Sequence, residues 1–272
     1  MNLLHIALRE IKIGFRNPWA YSFMALFALF SLSLLLINAQ RFVQGYSSTT
    51  SSMLNLILYL LPLMTLLLGS FSLTAEKEEG SWQLLSTYPL STFSFIGGKY
   101  TGLTAVLMTI VAFGYGLTGV VGSVAGRGLD GQTFGMFMAF SFGLILLFLA
   151  IALVIGTVAR NRWQALTIGV AVWFFTVIGW PTLLISLLGL LPYLWIKPAL
   201  VVLTFLNPAE LVRLFVVVKL GGGAALGPEY YTWVGWISKP SGSWMFLLVC
   251  MVWIAAAIGW AQLVWERGRS RG

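Results

Sequence analysis

From Thr133 to Val158 the chain carries no Asp, Glu, Lys, Arg or His. A run of that kind is longer than the ~20 apolar residues needed to cross the hydrocarbon core of a bilayer as a helix. Five further runs are apolar in the same way, apart from Lys99 at the edge of one, at about 18–38, 53–74, 99–123, 165–188 and 244–264. Lipid offers the backbone no hydrogen bonds, so each run must satisfy its own N–H and C=O groups as a helix. The expectation is an all-α polytopic membrane protein, a single domain over 1–272 with six transmembrane helices. Composition agrees: 59% of residues are hydrophobic and only 9% charged, against roughly a quarter charged in soluble domains. The run near the start exceeds the ~7–15 residues of a signal-peptide core, so we read it as a retained span.

The net charge of +8 would suggest nucleic acid in a soluble protein. Here the basic residues are scattered over loops, which fits the positive-inside rule instead, and no nucleic-acid partner is expected. With the N-terminus inside, the short outer loops hold only Arg41 and Arg127, and the richer basic content falls on the inner side. Both termini are therefore expected to be cytoplasmic.

Residues 3–16 alternate at helical spacing, with Leu4, Leu8 and Ile11 on one face, joined by Phe15, and Arg9, Lys12 and Arg16 on another. That pattern predicts an interfacial amphipathic helix with its basic face toward headgroups. Asn17-Pro18 opens the first span, Pro62 predicts a kink in the second, and Ser91 reads as an N-cap leading into the third. Gly98 and Gly102 form a small-xxx-small pair that would admit a close helix neighbour. Residues 189–243 are apolar but broken by Pro192, Pro198, Pro208, Gly221-Gly222-Gly223 and Pro228. We expect outward-facing, partly re-entrant short helices there, with extra spans as the competing reading. Asn207-Pro208 reads as a cap plus first helical residue. The helix that follows groups Leu211, Leu214, Phe215 and Val218 on one face, with Glu210 and Arg213 on its polar side.

The segment 75–98 stands out because it interrupts apolar sequence with Glu76, Lys77, Glu78 and Glu79, then Trp82, Leu84, Leu85 and Pro89. Such a segment belongs at the membrane face, where we expect it to be a docking surface. Catalytic constellations are missing. The single histidine, His5, cannot build a triad or a histidine metal site, and Cys250 stands alone in an apolar run. Gly97-Gly98-Lys99 lacks the first glycine and the Ser/Thr of a phosphate-binding loop. Methionines such as Met136 and Met138 are explained as gap fillers, and Trp19, Trp163, Trp180, Trp244 and Trp265 as interfacial anchors. No metal site is expected. The six spans lack the midplane charge that ion-coupled transporters use, so the energy source is expected outside the chain.

Glu76-Lys77-Glu78-Glu79-Gly80-Ser81, then Leu84-Leu85, Pro89 and Gly98-Lys99 resemble the central pattern of permease subunits of type-2 ABC transporters. Ser81 stands where family members often have Thr. The helix before the first span and the broken region before the last are similar as well. The resemblance implies a homodimer and a separate ABC ATPase that binds ATP and magnesium, so that this chain is no enzyme and holds no cofactor. It also implies coupling through Glu76, Glu78, Glu79, Trp82, Leu84 and Leu85. Asn207-Pro208-Ala209-Glu210-Leu211-Val212-Arg213 and the glycine-rich stretch after it resemble permeases serving nitrous-oxide reductase maturation. That likeness implies copper-centre assembly, with an extracytoplasmic accessory protein docking at Asn207, Pro208, Glu210 and Arg213. An exporter permease for a lipid, peptide or drug, and a standalone membrane scaffold, are the alternatives.

Overall fold

The computed structural model describes residues 3–37, 46–80, 91–124 and 130–269. Among these residues there are helices and no strands. Helix α1 (Leu3–Gly14) leads through an elbow at Asn17 into α2 (Pro18–Ile37), whose 20 residues span about 30 Å. Then come α3 (Ser48–Glu78), α4 (Thr92–Val124), α5 (Gly131–Val158) and α6 (Arg162–Leu190). The shorter α7 (Tyr193–Leu206) and α8 (Pro208–Lys219) follow, then two 3-10 turns, α9 (Tyr231–Ile237) and α10 (Pro240–Arg269).

Helices α3, α4, α5, α6 and α10 are long and apolar enough to cross a bilayer, and they coincide with five of the six expected runs. The remaining run is α2. Helix α3 continues through Pro62 as one helix, and α4 begins at Thr92, two turns before the span expected at Lys99. Its N-cap is Ser91, whose hydroxyl accepts from the Ser94 N–H at 3.3 Å.

Helix α5 is the axis of the molecule. Phe137, Phe140, Leu144, Phe148 and Leu153 on it are almost wholly inaccessible, and α3, α4, α8 and α10 surround it. The approach of α3 is close because small residues meet there. A Cβ on Gly156 would stand 3.0 Å from the Ser70 carbonyl, and one on Gly69 would collide with Ala152. Small residues at a crossing let two backbones approach and gain dispersion contacts that lipid cannot replace. On α4, Gly114 leaves room for the Phe27 ring of α2, which meets Tyr115 edge-on at 5.2 Å.

The broken region resolves into a sharp bend. Helices α7 and α8 meet at Asn207 at 109°, and α8 is buried nearly all round. It is a core element seated against α5, with Val212 over Gly143, so its expected surface position is corrected. Its six Val and Leu residues are too apolar to leave open.

Candidate functional site

One end of the bundle concentrates charge, and the last turn of α3 organises it. Successive helical side chains point about 100° apart, so Glu76, Lys77 and Glu78 face three different neighbours. Glu76 Oε1 lies 3.1 Å from Lys99 Nζ of α4 and 3.2 Å from the Arg9 guanidinium of α1. Lys77 Nζ donates to the carbonyls of Gly156, Thr157 and Ala159 at 2.9, 2.7 and 2.8 Å. Those are the orphan acceptors at the C-terminus of α5, where a cation is favoured. The same ammonium stands 5.6 Å over the Trp265 ring of α10, and Trp265 stacks on Phe95 of α4. Glu78 accepts the backbone N–H of Arg162 at 2.7 Å and pairs with its guanidinium at 3.1 Å, placing an anion at the N-terminus of α6. The exposed Glu79 adds a longer contact to Arg162 at 3.6 Å. Gly80, at φ 68°, ends α3 with the left-handed residue that lacks a Cβ penalty.

Beneath this turn lies a buried ion cluster. Lys99 is 1% exposed and donates to Glu10 at 2.8 Å, to the Ser72 hydroxyl at 2.8 Å, and to Glu76. The Ser72 hydroxyl in turn donates to the other oxygen of Glu10 at 2.9 Å. An ammonium has three hydrogens, and the Glu10, Ser72 and Glu76 oxygens, with the Ser72 carbonyl at a longer 3.3 Å, leave none of them unmet. Arg9 completes a set of two cations and two anions, the arrangement that makes buried charge tolerable. Glu10 reaches Lys99 only because α1 lies directly on Gly98 and Gly102. A Cβ at Gly102 would stand 2.6 Å from the Ala7 carbonyl, and one at Gly98 would stand 3.0 Å from that of Leu3.

This arrangement alters two expectations. The face of α1 that is covered carries Ile6 and Glu10, while Leu4 and Leu8 are 64% and 56% exposed; a seat made of two glycines with a lysine between them selects an acid. Glu76, expected on a docking rim, is turned inward and already engaged. Glu78 and Glu79 sit at the surface but grip Arg162. Trp82, Leu84 and Leu85 lie outside the described residues. Glu10 is the one acid among residues 3–16, a signal in the sequence that this helix has a buried cation to meet.

A second polar cluster marks the α7–α8 bend, beside the middle of α6. The π-helical turn Phe174–Gly179 inside α6 precedes Pro181. In a π register the carbonyl five residues before Pro181 is that of Thr176, and proline has no N–H to offer it. Asn207 supplies the donor instead, Nδ2 to Thr176 O at 2.7 Å. Its Oδ1 caps α8 by accepting from Ala209 N and Glu210 N at 2.9 and 3.5 Å. Glu210 holds Arg213 in a two-point bridge at 3.0 and 2.6 Å. Burial, with the Glu210 carboxylate adding to it, pushes the nearby Tyr230 phenol up to about 12, so it stays a neutral hydroxyl. Asn207, Pro208 and Glu210 are buried, and only Arg213 is partly open. The four positions expected to receive an outer partner are therefore a joint inside the chain. No group of three His, Cys, Asp or Glu side chains is placed to hold a metal among the described residues.

The match to known proteins is broad. Residues 4–268 fit the family model described as "ABC-2 family transporter protein". The chain is an ABC-2 transporter permease. Two curated relatives, each called "Probable ABC transporter permease protein NosY", are similar to it. The protein from Pseudomonas aeruginosa is 31% identical over 277 residues, covering 96% of this chain and 97% of that one. The protein from Stutzerimonas stutzeri is 31% identical over 232 residues, covering 82% and 84%. An ABC-2 permease with five or six spanning helices is a multi-pass protein of the cytoplasmic membrane. Its charged end and its α7–α8 joint are then two places where polar chemistry meets the apolar bundle.

Proposed function

We propose that this permease works as one of two identical copies driven by a separate ABC ATPase, which binds the ATP and magnesium. The ATPase seats on segment 81–90, where Trp82, Leu84 and Leu85 enter an apolar groove on it. The termini and this segment are cytoplasmic. One observation carries the reading: the root of that segment is fastened through Glu76, Lys77 and Glu78 to α1, α4, α5, α6 and α10. A push on 81–90 therefore moves the bundle as a body rather than bending one loop, which is how rigid elements carry switching motions. Glu76 acts from behind the docking surface, and Glu78 and Glu79 share the rim with Arg162.

The likeness to relatives named NosY supports assembly of the copper centre of nitrous-oxide reductase as the task. An extracytoplasmic accessory protein would then contact the end carrying α7 to α9, and the Asn207–Arg213 joint would relay motion to it rather than touch it. Copurification of the tagged chain in mild detergent tests the whole reading. An ATPase is expected in equal amount, and Trp82→Asp or Leu85→Asp should lose it while the spans stay folded. Repeated recovery of the chain alone, or unchanged ATPase recovery with both variants, would refute it.

A further inference from the structure

Between the elbow of α1 and α2, the last half of α3 and the first turns of α6 lies a cavity of about 790 Å³. That is within the range of a small-molecule site, and the cavity is built in two zones. Its wall is apolar, formed by Leu67, Leu68, Phe71, Leu103, Leu107 and Leu166. Its mouth is ionic, formed by Arg9, Arg16, Arg162, Glu78 and Glu79. Along α3 the distance from Glu78 at the mouth to Leu67 in the wall is about 16 Å at the helical rise. Trp163, well exposed and next to Arg162, flanks the mouth, and such an indole ring sits at headgroup depth, while Trp19 packs edge-on against Phe71 of the wall. The mouth therefore lies among lipid headgroups and the wall among acyl chains.

The charges around the mouth are divided rather than summed. Lys99 and Glu10 neutralise each other at the floor, and Arg9 reaches down from the mouth to neutralise the buried Glu76. Arg162 serves both Glu78 and Glu79, so among the side chains lining the groove the α3–α6 corner carries one carboxylate more than it has cations. Arg16 forms no ion pair among the described residues, so the elbow corner is positive. The mouth thus has one cationic and one anionic corner above an apolar channel.

We propose that this groove binds a zwitterionic glycerophospholipid with a primary ammonium, of the phosphatidylethanolamine type. Its phosphate sits on Arg16, its ammonium donates to Glu78 and Glu79, and an acyl chain lies along the leucine wall. An anionic lipid without an amine, such as phosphatidylglycerol, brings no cation to the Glu78–Glu79 corner. A quaternary ammonium has no N–H to give the carboxylates. Binding of this lipid needs neither the ATPase nor the coupling assignment.

The test uses the delipidated full-length chain in detergent, titrated with phosphatidylethanolamine, phosphatidylglycerol or phosphatidylcholine, with bound lipid read by native mass spectrometry. Phosphatidylethanolamine is expected to bind about tenfold more tightly than either of the others, a difference of ~1.4 kcal/mol. Arg16→Glu should weaken it at least about fivefold, and Glu79→Gln should narrow its lead over phosphatidylcholine. Ala75→Trp, which fills the groove while keeping the mouth charges, should abolish binding, whereas Lys239→Glu in the turn before α10 should change nothing. Equal retention of the three lipids, or binding untouched by both Arg16→Glu and Ala75→Trp, would overturn the proposal. So would a lipid-free groove closed by a second copy, seen as a disulfide dimer of Leu166→Cys.

Discussion

The ammonium of Lys99 holds together three carboxyl and hydroxyl groups from two other helices. Removing it leaves Glu10 and Glu76 buried side by side, and breaking one member of a buried set costs about 3–5 kcal/mol. Lys99→Met should therefore lower the thermal midpoint in detergent by several degrees. Adding Glu10→Gln should recover part of that loss, because the remaining like charges no longer face each other; a double variant no more stable than Lys99→Met would disprove the pairing. Asn207 makes a second residue-scale prediction. Asn207→Asp keeps the cap on α8 but loses the donor to Thr176, and Asn207→Leu loses both. The first should cost about 1–3 kcal/mol and the second about 1 kcal/mol more, read as ordered shifts of the melting midpoint. The caps Ser91 and Asn207 were legible in the sequence, because a cap acts on residues two or three positions away. The Glu10–Lys99 pair was not, since its members are 89 residues apart and meet only after α1 folds back on α4.

At the scale of elements, α1 shows how tertiary fit overrides a local pattern. Its sequence reads as a leucine face and a basic face, yet the covered stripe runs through Ile6 and Glu10. Gly98 and Gly102 were legible as a place for close approach, while the identity of the neighbour was not. Gly102→Val should lift α1 from its seat and expose Ile6, measured as faster labelling of an Ile6→Cys probe in a Cys250→Ser background. Gly116, whose Cβ direction is open, should accept Val with labelling unchanged. Helix α8 teaches the converse. Its apolar face was visible, but its nearly complete burial was not, because nothing local indicates that α5 offers Gly143 beneath Val212.

For the whole molecule, the long apolar runs made five spanning helices and their order readable by length alone, whereas the apolar stretch of α2 is shorter. Which helices touch was not readable, because lipid-facing and protein-facing leucines are chemically alike. The same sequence reasoning places the C-terminal end of α10 inside and the turn before it outside. In the Cys250→Ser background, Lys239→Cys should react with a membrane-impermeant maleimide added to intact cells, and Arg267→Cys only after lysis. Reaction of both from the same side would mean that α10 does not cross the membrane.

The bond from Asn207 to the Thr176 carbonyl also bears on which sequences this architecture can sample. Proline at 181 creates the need that asparagine at 207 meets, so the two positions, 26 apart in the chain and in different helices, are not free to drift separately. With Pro181→Ala, the backbone can supply its own donor and close that turn of α6. Asn207 would then be needed only as a cap, and Ser or Asp there should become nearly neutral. A substitution harmful in one background is permitted in the other, so the order in which the two changes arise decides which path remains open.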